Sequence, residues 1–141
     1  MLKTEPRTAL LVLLVVFYLA AGVLHFTAAD AFMSIMPAFV PFPRAIVLAT
    51  GVWEIMGAIA LIFARTRRAA GVAMAVYAVV VFPANIQHAY DMIAVRGLGE
   101  SWLYHGPRLF LQPLIVWWAL YASGATRWPF GAQRRRKIDS P

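Results

Sequence analysis

The chain has 141 residues, of which 62% are hydrophobic and 13% are charged, and its formal net charge is +7. Soluble domains carry about 25% charged residues, so a water-soluble fold of this composition would expose apolar patches and aggregate. The composition therefore excludes a soluble domain and favours a membrane protein. The basic residues lie between and beyond the apolar runs, a pattern that belongs to membrane topology and not to nucleic-acid binding. The absence of cysteine excludes disulfides, thiol redox catalysis and cysteine-ligated iron–sulfur clusters.

Four apolar stretches are long enough to cross about 30 Å of hydrocarbon. They predict an all-α membrane protein, a bundle of four transmembrane helices that forms a single domain over residues 1–141. The predicted spans cover residues 8–28, 44–64, 69–89 and 108–123. A cleavable signal peptide is the alternative for the first stretch, because Lys3 and Arg7 precede it. Its apolar run is long for that role, and no convincing cleavage site follows it.

The segments between the predicted spans differ in character. Three prolines within residues 37–43 exclude one continuous helix between the first two spans. Residues 28–36, just before them, are predicted to form a short interfacial helix. Residues 65–68 are predicted to form a tight turn between antiparallel neighbours. Residues 90–107 contain three glycines and are predicted to form a loop outside the membrane.

Lysine and arginine residues are distributed unevenly between the two sides of the predicted bundle. If both termini share one side, that side carries all of the 13 basic residues except Arg44, Arg96 and Arg108. The positive-inside rule therefore predicts that both termini are cytoplasmic. The basic tail, residues 127–141, is predicted to anchor this topology, with contact to anionic lipid headgroups as the alternative.

A set of polar residues lies within or at the ends of the predicted spans, where an unpaired ionisable group costs several kcal/mol. At about 1.5 Å of rise per residue, all of them fall at or above the midplane, toward the non-cytoplasmic side. The set comprises His25, Glu54, Asn85, Gln87, His88, Arg108 and Gln112. This asymmetry indicates a pocket in one leaflet, because contacts that only hold helices together have no reason to share a leaflet.

Prolines and glycines near these residues support the same interpretation. Pro83 and Pro113 each remove a helical hydrogen bond, and the carbonyl groups that they free need polar partners in lipid. Gly51 and Gly57 flank Glu54 and would allow another helix to approach it closely.

The polar residues suit a site that binds a lipophilic molecule and moves protons. Glu54, His88 and His25 are the candidate catalytic residues, because histidine titrates near neutral pH and a buried carboxyl group can exchange a proton. The candidate ligand-binding residues are Asn85, Arg108, Gln112, Gln87 and Trp53.

A purely structural interpretation of the same residues stays open. Glu54 would then be a paired or protonated structural acid, the amides would be hydrogen-bonding groups between helices, and the tryptophans would form an interfacial belt. His25 and His88 are also candidate ligands for a metal or haem from opposing helices, although no metal-type spacing motif accompanies them.

Several motifs resemble those of DoxX-like membrane proteins, in order, over residues 25–118. The matching segments are Leu24-His25-Phe26, Pro41-Phe42-Pro43, residues 50–58, the Arg67-Arg68 turn, residues 81–89, and Arg108 and Gln112 ahead of a tryptophan-rich last span. One departure is that Pro107 precedes Arg108, where the family pattern has a proline soon after the arginine. The resemblance implies a small four-helix protein of a bacterial or archaeal cytoplasmic (inner) membrane. The family takes its name from a subunit linked to quinone-dependent sulfur oxidation and a terminal quinol oxidase.

The resemblance and the polar set together predict a redox-linked membrane protein whose non-cytoplasmic pocket binds a quinone or a similar lipophilic molecule. It would be a quinone-linked oxidoreductase or a subunit of one, with a second substrate or a redox partner protein supplying electrons. Two alternatives remain: a non-catalytic anchor or assembly subunit of an oxidoreductase complex, and a carrier of a small lipophilic ligand. The expected partners are the lipid bilayer, a redox protein and a second copy of the chain; nucleic acid is excluded.

Overall fold

A computed structural model of the chain describes residues 6–129, with the side chains of residues 96, 98–105 and 108 outside the description. The helices, in chain order, are α1 (Pro6–Thr27), α2 (Ala29–Ser34), α3 (Pro43–Ile62), α4 (Arg67–Arg96) and α5 (Leu98–Ser123). The described residues contain no strand. The predicted all-helical class is therefore confirmed.

Among the described residues, three helical segments are long and apolar enough to cross a membrane: Pro6–Thr27, Pro43–Ile62 and Arg67–Val95. Only 28% of the most apolar window of each is buried inside the bundle. Most of their apolar side chains therefore face outward, which suits a lipid environment and not water. The described part of α5 has a shorter apolar segment, Leu109–Ser123. The membrane class inferred from composition thus rests on three helices, and a fourth crossing stays a prediction.

The prediction of a loop over residues 90–107 is wrong. Only Gly97 separates α4 from α5, and its φ of 80° places it in the left-handed region that glycine adopts without strain. Gly99 and Gly106, which also suggested a loop, lie inside α5. A single glycine in a helix costs only about 1 kcal/mol relative to alanine, so neighbouring residues override it. The fourth predicted span, expected from residue 108, consequently belongs to a helix that begins at Leu98.

The short helix and the turn are both present, but the turn lies at residues 63–66, and Arg67 and Arg68, predicted to belong to it, begin α4. The short helix expected within residues 28–36 is α2, which ends before the proline-containing segment. At the predicted turn after α3, the Thr66 hydroxyl donates a hydrogen bond to the Ala60 carbonyl at 2.7 Å. The guanidinium group of Arg67 donates to the Leu61 and Ile62 carbonyls at 3.0 and 2.9 Å. The first residues of α4 therefore satisfy the last carbonyl groups of α3.

The core lies where α1, α3, α4 and α5 meet, with α1 packed mainly on α3 and α4 mainly on α5. Its largest fully buried side chains are Leu14, Leu61 and Met74. Smaller core residues, most of them alanines, surround them. The bundle thus uses small side chains to bring helices together, as membrane proteins commonly do.

Glycine sets the separation of α1 and α3 beside Glu54. A Cβ atom on Gly51 would lie 2.8 Å from the His25 Cβ and 3.0 Å from the Gly22 carbonyl oxygen. A Cβ atom on Gly57 would overlap the thioether of Met74 on α4. Both glycines therefore permit the close helix approach that their position beside Glu54 predicted.

Candidate functional site

Glu54 lies inside the helix bundle and is only 5% exposed. Tyr77 on α4 donates its hydroxyl hydrogen to Glu54 Oε1 at 2.9 Å. His25 on α1 places its Nδ1 atom 3.0 Å from Glu54 Oε2. Side chains from three helices therefore meet at one carboxyl group, close to the middle of α3.

The imidazole ring of His25 is held from several directions. Its Nδ1 atom lies 2.9 Å from the Ala21 carbonyl oxygen, one helical turn earlier, as well as beside the carboxyl group. A backbone carbonyl only accepts hydrogen bonds, so Nδ1 carries the hydrogen and donates it to Ala21. Glu54 Oε2 lies near the same N–H group but off the direction of the N–H bond. It therefore forms no satisfactory hydrogen bond with His25. The ring also stacks on Phe32 of α2, with centroids 4.1 Å apart.

Two buried oxygen atoms at this site have no hydrogen-bond partner among the described residues: the Tyr18 hydroxyl and Glu54 Oε2. Tyr18 is 2% exposed, lies two turns before His25 on α1 and interacts electrostatically with Glu54. A buried unsatisfied polar group costs about 1–3 kcal/mol. Binding of a proton, or of a polar atom from another molecule, would therefore stabilise these two oxygen atoms. We refer to Tyr18, His25, Glu54 and Tyr77 as the Glu54 cluster.

A second set of polar residues joins α4 to α5. The Asn85 amide donates to Gln112 Oε1 at 3.3 Å, and the Gln112 amide donates to the Ala78 backbone carbonyl. Gln112 is 8% exposed. Pro83 removes the helical hydrogen bond to the neighbouring Val79 carbonyl. Gln112 therefore donates one residue before the carbonyl group that Pro83 frees, and a polar partner for the Val79 carbonyl itself stays a prediction.

A cavity of about 240 Å³ lies beside Gln112, between α4 and α5. Its lining consists of Val79, Phe82, Gln112, Pro113 and Val116. The lining is apolar apart from the glutamine, as is typical of a site for a small lipophilic molecule with one polar contact.

The remaining predicted site residues lie elsewhere on the helices. Gln87 is exposed and bonds Asp91 at 2.9 Å within α4. Trp53 is 47% exposed on the outer surface of α3. His88 is partly buried on α4, three residues beyond Asn85. The side chain of Arg108 lies outside the described residues.

The structure therefore divides the predicted single pocket into two groups, His25 with Glu54 and Asn85 with Gln112. Within the described residues, no group of three histidine, aspartate or glutamate side chains is placed to hold a metal ion. The metal or haem alternative for His25 and His88 gains no third ligand from this part of the chain.

Sequence reasoning missed the two tyrosines of the Glu54 cluster, although the sequence contains a signal for each. Glu54 and Tyr77 lie at similar distances on either side of the turn at residues 63–66. An antiparallel pair of helices brings such residues to the same height. Tyr18 precedes His25 by two helical turns and so shares its face of α1.

The sequence profile of a family described as "Domain of unknown function (DUF8561)" matches residues 14–123. The match runs from the core residue Leu14 on α1 to Ser123, the last residue of α5, and includes every residue of the Glu54 cluster. Because it covers most of the chain, the chain belongs to this family. No curated protein and no solved structure matches the sequence.

Proposed function

We propose that this family member is a DoxX-like membrane protein that binds a quinone or a similar lipophilic molecule and exchanges a proton with it. In this proposal α5 is the fourth transmembrane helix, both termini are cytoplasmic, and the membrane is a prokaryotic inner membrane. The lysine and arginine count supports the orientation. The observation that carries the proposal is the burial of Glu54 between His25 and Tyr77 inside an apolar bundle.

The pairing of Glu54 with His25 suits proton exchange in a medium of low dielectric constant. A carboxylate beside an imidazolium and a carboxylic acid beside an imidazole are both neutral overall. The pair can therefore rest in the bundle without the cost of a net buried charge. Gain or loss of one proton leaves the pair with a net charge, which is costly inside the bundle. The pair therefore exchanges a proton only when a bound molecule takes up or releases it.

The cavity beside Gln112 is the proposed position of the ligand. Its apolar lining suits a ring, and the Gln112 amide has a second N–H group, besides the one given to Ala78, that can donate to a ligand carbonyl. Tyr77 and Ala78 are consecutive on α4. A ligand that alters the bond between Gln112 and Ala78 therefore acts on the helix turn that also holds Tyr77 against Glu54.

Reduction of a quinone to a quinol consumes two electrons and two protons. In the proposal a redox partner protein supplies both electrons, the Glu54 cluster supplies one proton, and the aqueous phase supplies the other. Tyr77 keeps the carboxyl group oriented through its hydrogen bond to Oε1, and His25 holds the proton that replaces the one delivered. Apolar side chains around the cluster restrict the entry of water.

Ligand binding is tested by titrating the purified protein in mild detergent with a short-chain quinone. Quenching of tryptophan fluorescence reports on binding, because Trp117 adjoins the cavity residue Val116. We expect saturable binding that Gln112→Leu weakens about tenfold through loss of the polar contact. Thr27→Ala, at an exposed position on α1, should leave it unchanged. Non-saturable partitioning that is equal in all three proteins would rule out the cavity as the binding site.

Glu54→Gln separates a proton-exchanging role from a structural one. Glutamine keeps the shape of the side chain and an oxygen acceptor for Tyr77, so the variant should still bind the quinone. It should slow the proton uptake that accompanies chemical reduction of the bound quinone, followed in time with a pH indicator in weak buffer. If proton uptake keeps the wild-type rate and only the melting temperature falls, the polar groups merely hold helices together. That outcome would favour the anchor or assembly-subunit alternative.

A further inference from the structure

A second cavity, of about 320 Å³, lies at the end of the bundle where α1 and α4 begin and α3 and α5 end. Three arginines line it, together with small and apolar residues. The lining includes Arg7, Leu11, Arg67, Arg68, Ala122 and Gly124. We call this space the arginine cavity; neither the polar set predicted from the sequence nor the proposed quinone site includes it.

Arg67 is fixed in the wall of the arginine cavity but keeps free donors. Its Nε and Nη2 atoms donate to the Leu61 and Ile62 carbonyls at the end of α3. A guanidinium group has five N–H donors, so three remain for a ligand. The carbonyl bonds also hold the guanidinium plane in one orientation, which lowers the entropy cost of binding an anion.

Arg7 also lines the arginine cavity and is positioned by contacts that leave its N–H groups available. Its Cζ atom lies 5.9 Å from the centroid of the Tyr121 ring, whose face attracts the positive charge. Gly124 ends α5 with a φ of 86°, and a Cβ atom there would overlap the Arg7 guanidinium group. Glycine at this position therefore leaves room for Arg7 to lie across the end of α5.

The positive charge of the arginine cavity is uncompensated within residues 6–129. Neither of the described ion pairs involves Arg7, Arg67 or Arg68. The described lining of the cavity contains no aspartate or glutamate. Three guanidinium groups that share a cavity without a carboxylate favour an anionic ligand, because the ligand relieves their mutual repulsion.

We propose that the arginine cavity binds a phosphate group, and that its source is the headgroup of an anionic phospholipid. Guanidinium groups match phosphate oxygens in a bidentate geometry. The apolar side chains of Leu11 and Ala122 border the cavity and suit the glycerol and acyl portions of a lipid. Basic pockets at the ends of transmembrane helices lie at the depth of the headgroups. Free phosphate offers the same anionic chemistry without the apolar contact.

The test uses native mass spectrometry of the full chain in detergent micelles that contain phosphatidylglycerol or phosphatidylcholine. The variant Arg7→Gln/Arg68→Gln removes two cavity charges. The control Arg65→Gln/Arg127→Gln removes the same charge from exposed positions at the same end. We expect the wild type to retain phosphatidylglycerol over phosphatidylcholine. The cavity variant should bind phosphatidylglycerol about tenfold more weakly, and the control should change less than about twofold.

An equal loss in both double variants would overturn the site, because diffuse surface charge would then explain binding. Unchanged lipid retention in the cavity variant would overturn it as well. Displacement of phosphatidylglycerol by millimolar inorganic phosphate would overturn the lipid as the source of the phosphate group. If the glutamine variant fails to fold, Arg7→Lys/Arg68→Lys keeps the charge and loses the bidentate geometry. We expect lysine to give intermediate affinity; wild-type affinity would contradict recognition by guanidinium groups.

Discussion

Gly51→Ala tests whether the close contact of α1 with α3 holds the Glu54 cluster together. The new Cβ atom would lie 2.8 Å from the His25 Cβ, whereas unstrained carbon atoms stay about 3.5–4.0 Å apart. The helices must therefore separate by roughly 0.7 Å at this level. Overpacking of this kind costs about 1–3 kcal/mol, which exceeds the gain of about 0.5–1 kcal/mol from replacing a helical glycine.

The same separation acts on the site, because His25 is the residue that the methyl group displaces. Its Nδ1 atom, now 3.0 Å from Glu54 Oε2, would move up to roughly 0.7 Å farther from that oxygen or lose its bond to Ala21. We expect a lower melting temperature in detergent, followed by near-UV circular dichroism, and slower proton uptake on quinone reduction.

Gly57→Ala is the matched control for this prediction. It makes the same change on the same helix, but the atoms nearest to its Cβ belong to the flexible thioether side chain of Met74. We expect it to cost less stability than Gly51→Ala and to leave the rate of proton uptake unchanged. If Gly51→Ala is as stable as Gly57→Ala and keeps the wild-type rate of proton uptake, the reasoning about helix separation is wrong.

Three further substitutions probe the bundle by thermal unfolding in detergent. Tyr77→Phe removes the hydrogen-bond donor to Glu54 Oε1 and should lower stability by about 1–3 kcal/mol; an unchanged melting temperature would contradict that bond. Tyr18→Phe removes a buried hydroxyl without a partner and should leave the ligand-free protein as stable or more stable; clear destabilisation would show that the hydroxyl is satisfied. Gly71→Ala should destabilise by about 1–3 kcal/mol, because its Cβ would lie 2.8 Å from the Ala119 carbonyl oxygen; wild-type stability would contradict the tight packing of α4 on α5.

The fold was predictable where the sequence pattern of one helix was enough to identify that helix. The long apolar runs identified α1, α3 and α4, and the prolines after α2 ended it as expected. The junction between α4 and α5 was not predictable in this way. Its glycines and polar residues resemble a loop in composition, yet Gly97 alone makes the turn. Local composition does not reveal whether a glycine ends a helix or lies inside one.

The candidate site was predictable residue by residue but not as an arrangement. Glu54 and His25 were identifiable because each is costly in lipid without a partner. Their pairing depends on the crossing of α1 and α3 at Gly22 and Gly51, which no short motif encodes. Tyr77 was missed because an aromatic residue in an apolar span is most often a packing residue. Its role appears only when the hairpin places its hydroxyl against the carboxyl group.

The central claim is that Glu54 exchanges a proton when the bound quinone is reduced. An infrared difference spectrum between the reduced and oxidised states of the quinone-bound protein reports directly on the protonation of carboxyl groups inside the bundle. The account predicts a carboxyl band that shifts in heavy water, is absent from Glu54→Gln and is unchanged in Thr27→Ala. A spectrum without a carboxyl band, or one with the same band in Glu54→Gln, would contradict it.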